Sequence, residues 1–106
     1  ICVTHADGFE VLTIGEIMRL EASLNYTNIF LIDKQKILVA KTLKEFENML
    51  SEYDFFRVHN SHLVNLHYVS NYNKGKGSSY ITLSDGTSIE VSVRRKEEFI
   101  EKIKGL

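Results

Sequence analysis

Apolar side chains along this chain recur mostly at alternate positions in short runs, punctuated by Gly, Asn and Asp, the pattern of half-buried strands joined by tight turns. Ile1 to Ala6 and Phe9 to Thr13 are two such runs joined by Asp7-Gly8, a pair favoured in type I′ turns because both central residues need positive φ. A hairpin is expected there. Thr13-Ile14-Gly15-Glu16 has capping-box spacing and predicts a single helical turn before Ile17 to Ala22 resumes extended chain. Asn25-Tyr26-Thr27-Asn28 interrupts the pattern as a polar turn, and strands are expected at 29–32 and 36–40. Thr42-Leu43-Lys44-Glu45 is a second capping box. Phe46, Met49 and Leu50 follow it on one helical face, so a helix is predicted over about 42–51.

Beyond the centre of the chain, His67 to Tyr72 reads as a strand and Lys74 to Ser79 as a flexible connection. Ile81 and Leu83 face Ile89 and Val91 across an Asp85-Gly86 turn, the clearest hairpin signal in the sequence. Phe99, Ile100 and Ile103, with Glu98 and Lys102 four apart and Gly105 as a stop, predict a terminal helix at about 95–104. About nine short strands against two helices make the fold mainly β.

Residues 55–66 fit neither period. Phe55, Phe56, Val58, Leu63, Val64 and Leu66 supply apolar anchors, while His59, Asn60, Ser61 and His62 are four consecutive polar residues. A strand would alternate through them and a helix would carry one stripe, so an exposed bend on an apolar footing is expected.

With 106 residues the chain is long enough for one small domain. No apolar run approaches the roughly 18 residues that cross a bilayer, and the first residues lack the features of a signal peptide, so a cytoplasmic location without membrane contact is expected. The chain begins at Ile1 rather than Met, from which a longer parent with a further N-terminal part is expected. Cys2 has no cysteine partner and is read as a small buried hydrophobe. A net charge of −1 excludes a general basic coat for nucleic acid. The charge is uneven: residues 1–53 carry 5 Lys+Arg against 8 Asp+Glu, and residues 54–106 carry 8 against 6, which places any anion-binding surface mostly in the second half.

Arg94-Arg95-Lys96 stand where the last strand gives way to the terminal helix. Cations there oppose the helix dipole, a cost that a phosphate would reverse and that a frayed, solvated end would hardly feel; the residues alone leave both readings open. His59, His62 and His67 lack the acidic or cysteine partners of a zinc site, and Ser61 lacks a Gly-rich elbow, so neither a metal, a cofactor nor catalysis is expected. Lys74-Gly75-Lys76-Gly77 lacks the full phosphate-loop pattern and reads as a solvated hairpin loop. Asn25 to Asn28 has turn chemistry first, although Asn and Thr also read base edges.

Glu21-Ala22-Ser23-Leu24-Asn25-Tyr26-Thr27, Lys41 to Phe46, Phe56-Arg57-Val58-His59-Asn60-Ser61-His62-Leu63-Val64-Asn65, Leu83 to Gly86 and Val91 to Arg95 together resemble the LytTR DNA-binding domain, over nearly all of the chain after about residue 9. The F-x-R-x-H-x-S-x-L-V-N run is the specific part. The resemblance implies one domain over residues 1–106, an elongated sandwich of small antiparallel sheets that reads major grooves through loops, without a helix-turn-helix. It implies a sequence-specific effector domain of a bacterial transcription regulator, commonly a two-component response regulator, joined to an N-terminal regulatory domain. Its partner would be double-stranded promoter DNA, bound as a dimer on repeated sites. By position, base reading falls on Thr27, Asn60 and Arg94, with Asn25 and Asn28 as alternatives to the short Thr27. Phosphate or supporting contacts fall on Asn25, Asn28, Arg57, His59, Ser61, Ser92 and Arg95. A β-rich protein-interaction module without DNA specificity is the alternative.

Overall fold

A computed structural model describes residues 1–106. Its ten strands form three antiparallel sheets. Strands β1 (Cys2–His5) and β2 (Gly8–Val11) are a hairpin; β3 (Ile17–Ser23), β4 (Tyr26–Leu31), β5 (Lys36–Val39), β6 (Phe55–His59) and β7 (His62–Asn65) form a sheet of order β5-β4-β3-β7-β6. The third sheet contains β8 (Val69–Lys74), β9 (Ser79–Leu83) and β10 (Ser88–Val91), in the order β10-β9-β8. Two α-helices complete the fold, α1 (Leu43–Met49) and α2 (Lys96–Lys104).

The five-stranded sheet is a middle layer, and adjacent apolar pairs in its strands explain why. Successive residues of a strand point to opposite faces, so Ile17-Met18, Phe55-Phe56 and Leu63-Val64 each divide between two cores. Ile17, Phe55 and Leu63 join Val3 of the first hairpin and Leu43 and Phe46 of α1 on one face. Met18, Phe56 and Val64 join Ile81, Leu83, Ile89 and Val91 of the third sheet and Phe99 of α2 on the other. Phe99 is fully buried, its ring centroid 6.1 Å from that of Phe56 and 5.9 Å from that of Tyr72. Truncating a buried Phe to Ala costs about 3–5 kcal/mol, so Phe99 is a main anchor of α2, with Ile100 and Ile103 packed against the same core. The result is an elongated three-layer sandwich, 44 × 25 × 24 Å.

Local chemistry sets the boundaries. Thr42 and Glu45 form the expected reciprocal capping box at α1. Hydrogen bonds, first from the Thr42 backbone N–H and then from its hydroxyl, hold the Glu45 carboxyl below the usual carboxylate range. Thr13 makes no such cap, and Ile14–Glu16 is a bare 3-10 turn. His5 pairs with Gly8, so the first turn is Ala6-Asp7, one residue earlier than Asp7-Gly8 suggests. Cys2 is exposed, not buried, because it shares the outer face of its hairpin with Thr4 while Val3 points inward. The predicted strand from His67 begins only at Val69: the Asn65 side chain accepts from the His67 N–H and turns Leu66–Tyr68 into a 3-10 turn. The Asn65 amide also donates to the Ile17 carbonyl at 3.0 Å, which ties β7 to the start of β3.

Candidate nucleic-acid interface

Register places three connections along one rim. Glu21 of β3 lies opposite His62 of β7, so the β3–β4 turn and the β6–β7 turn emerge at the same end of the middle sheet. The Ala22 N–H donates to the Ser61 carbonyl at 2.9 Å and locks the two together. On the other side of β6, the Ser92 N–H donates to the Val58 carbonyl at 2.8 Å, bringing the end of β10 to the same place. Residues distant in sequence, around 24, 60 and 94, thereby share one edge.

The β6–β7 turn is narrower than its four polar residues suggest: His59 and His62 pair, leaving only Asn60 and Ser61 at the tip. A bulge between Arg57 and His59 shifts the register and adds local twist. Arg57 fastens the tip from below, donating through Nη2 to the Asn60 carbonyl at 2.6 Å and through Nη1 to Glu47 Oε1 of α1 at 3.3 Å. The Ser61 N–H donates to His59 Nδ1 at 3.1 Å, which requires that nitrogen to be unprotonated. With the backbone so held, the Asn60 side chain stands exposed and makes no intramolecular hydrogen bond.

His62 lies half-buried opposite Glu21, its ring centroid 5.6 Å from that of His59. Burial lowers its pKa below the ordinary 6.5; Glu21 opposes this, while His59 and Arg19 add to it.

The strand-to-helix junction has the same division between mount and tip. Ser92 is pinned through its N–H and accepts from the Arg95 N–H at 3.0 Å, closing the 3-10 turn Val93–Arg95. Arg95 folds back, and its Nη1 donates to the Arg57 carbonyl at 3.2 Å. Arg94 projects outward, exposed and without an ion pair. Four shielded polar atoms lacking an intramolecular partner cluster at these two tips: Arg57 Nε, His62 Nδ1, Ser92 Oγ and Arg95 Nε. Glu97 and Glu98 follow in the first turn of α2, where acidic residues favour the helix dipole.

The first loop requires a correction. Thr27 is fully buried, and its hydroxyl donates to the Lys41 carbonyl at 2.8 Å. It cannot present that group to a base, because with Ile29 and Leu31 it occupies the core-facing positions of β4. The polar turn foreseen at 25–28 shrinks to Leu24-Asn25 for the same reason. Asn25 is exposed at the tip, and Asn28 lies half-buried opposite Glu21. Leu24, which residue type alone does not mark, adopts a φ of 57° and is 98% exposed. Arg57, His59, Ser92 and Arg95 surround the tips, whereas Asn25, Asn60, Ser61 and Arg94 form them.

No group of three or more His, Cys, Asp or Glu side chains is arranged to hold a metal ion, and no helix is long and apolar enough to cross a membrane.

A family model described as the LytTr DNA-binding domain matches residues 7–104. Among solved structures, the chain is similar to the LytTr DNA-binding domain of a Bacillus cereus protein described as a methyl-accepting/DNA response regulator. The TM-score is 0.79 at 21% sequence identity, over 100% of this chain and 96% of that one. No curated protein sequence is significantly similar to the chain.

Proposed function

The chain belongs to the LytTr DNA-binding domain family, and on that premise we propose that it is the sequence-specific effector domain of a bacterial transcription regulator. The observation that carries this reading is the shared rim, where Asn60 and Arg94 stand free on backbones pinned by Arg57, Ser92 and Arg95. Asn suits bidentate pairing with adenine N6/N7, and Arg with guanine O6/N7. Preorganised backbones reduce the loop-ordering cost of binding. In this proposal Asn60 and Arg94 read bases, and Asn25 reads at the first loop in place of Thr27. His59 and Ser61 contact phosphate, Asn28 supports the first loop, and Arg57, Ser92 and Arg95 fix register.

Residues 1–106 act as one unit in this proposal, since both cores use the same middle sheet. The partner is double-stranded promoter DNA, contacted by two copies on repeated sites in the cytoplasm. The described role of the Bacillus cereus protein as a response regulator supports a covalently linked N-terminal regulatory domain of the two-component type.

Selection of bound sequences from a random duplex pool, followed by gel shifts, tests the proposal. Asn60→Ala and Arg94→Ala are each expected to cost about 1–3 kcal/mol on the selected site and to relax preference at one base pair. Failure to enrich any sequence would instead favour a protein-interaction module, and unchanged affinity in both variants would move the reading surface elsewhere.

A further inference from the structure

The loop between β8 and β9, whose sequence reads as a solvated hairpin loop, lies on the same rim as Arg94. Ser79 pairs with Lys74 on one side and with Val91 on the other, so residues 75–78 emerge beside the point where β10 passes into Ser92 and the 3-10 turn. Between the loop and that turn lies an open cleft of about 250 Å³, lined by Lys74, Gly75, Gly77, Ser78, Ser79, Val93 and Lys96. No carboxylate lines it: Glu97 and Glu98, next along α2, are not among its walls. Neither Lys74 nor Lys96 has an ion-pair partner.

The backbone adds to this positive character. The Gly75 N–H donates to the Ser78 carbonyl at 2.6 Å, closing a tight loop in which the Lys76 and Gly77 N–H groups make no hydrogen bonds. Gly77 has a φ of 77°, a conformation that glycine adopts without steric cost. A Cβ on Gly75 would lie 3.0 Å from the Ser78 carbonyl oxygen, so the loop closes this tightly only with glycine there. Across the cleft, Lys96 opens α2, whose preceding residue Arg95 supplies no side-chain cap.

We infer that this cleft is a fourth DNA contact, in which Lys74 and Lys96 hold one backbone phosphate next to the bases reached by Arg94. The inference rests on the DNA-binding reading and extends it from three loops to four. Two unpaired ammonium groups, free loop amides and a wall formed by the residue preceding Arg94 suit a phosphate, which is recognised by charge and donors without regard to base. Val93 forms an apolar wall that gives a base edge no hydrogen bond.

The test compares Lys74→Gln/Lys96→Gln with Lys102→Gln/Lys104→Gln, which removes the same charge from the far end of α2. Dissociation constants are measured from 50 to 300 mM salt on the selected duplex and on a scrambled one, with circular dichroism checking the fold. Loss of one phosphate contact makes the slope of log affinity against log salt shallower by about 0.9. The cleft variant is expected to show that change on both duplexes, with equal fold losses, and the control variant is expected to stay near the parent. Equal slopes for the two variants, no change in the cleft variant, or a loss confined to the selected duplex would each overturn the inference. If the parent prefers no sequence, the base-reading proposal fails while the scrambled duplex still tests the cleft.

Discussion

Arg95 Nη1 donates to the backbone carbonyl of Arg57 at 3.2 Å, across 38 residues of sequence. This bond joins the entrance of α2 to the strand that carries the central turn, so the outward-facing Arg94 and Asn60 are held by one another's neighbours. Replacing Arg95 by Met keeps much of the side chain's apolar stem and removes the donor. Urea unfolding is expected to show a loss of about 1–2 kcal/mol, discounted for partial exposure. DNA affinity should fall while the preferred base opposite Arg94 stays the same. A changed base preference would make Arg95 a reader instead of a mount.

Thr27 supplies the sharpest contrast between position and role. Thr27→Val preserves shape and leaves the Lys41 carbonyl without its donor, so a loss of about 1–3 kcal/mol is expected in chemical denaturation. Sequences selected from a random pool should be the same as those of the parent. A shift in consensus would put the Thr27 hydroxyl in contact with DNA after all.

The capping box at α1 is expected to contribute measurably although it is exposed. Thr42→Ala removes the acceptor for the Glu45 N–H and should lower stability by about 1 kcal/mol. The Glu45 carboxyl is held below its ordinary range, so its stabilisation is present above pH 4.5 and is lost as pH falls through the lower folded value. Melting curves between pH 3 and pH 6 should show that acid-side loss in the parent and less of it in Thr42→Ala; parallel curves would refute the coupling.

His62 acts in a higher window. Its folded pKa lies below 6.5, chiefly because burial disfavours the charged ring, so the unfolded chain takes up a proton first as pH falls. Both states are neutral above that window, and stability declines from about pH 6.5 downward until the folded ring also titrates. Thermal melts at pH 7.5 and 5.5 are expected to show a larger drop for the parent than for His62→Phe. An equal drop would assign the effect to other groups.

Much of this molecule was legible from one dimension. Alternation marked most of the strands, the Thr42–Glu45 box marked α1, and Phe99 and Ile103 marked α2, because local periodicity and capping act within a few residues. The run from Phe56 to Asn65 disclosed its family because its mixed spacing is so unusual. Sequence could not decide where side chains face when both faces of a strand are buried. Thr27 has turn-like neighbours yet faces the core with Ile29 and Leu31, a consequence of β4 pairing on both sides with β3 and β5. Cys2 faces outward because alternation gives Val3 the inner side of the hairpin, and the helical turn after Thr13 forms as a 3-10 turn without the side-chain cap that its spacing suggests. Only tertiary structure brought the turns at Asn25, Asn60 and Arg94, and the loop at Lys74, onto one rim, because strand register is a long-range property fixed by backbone hydrogen bonds between segments tens of residues apart.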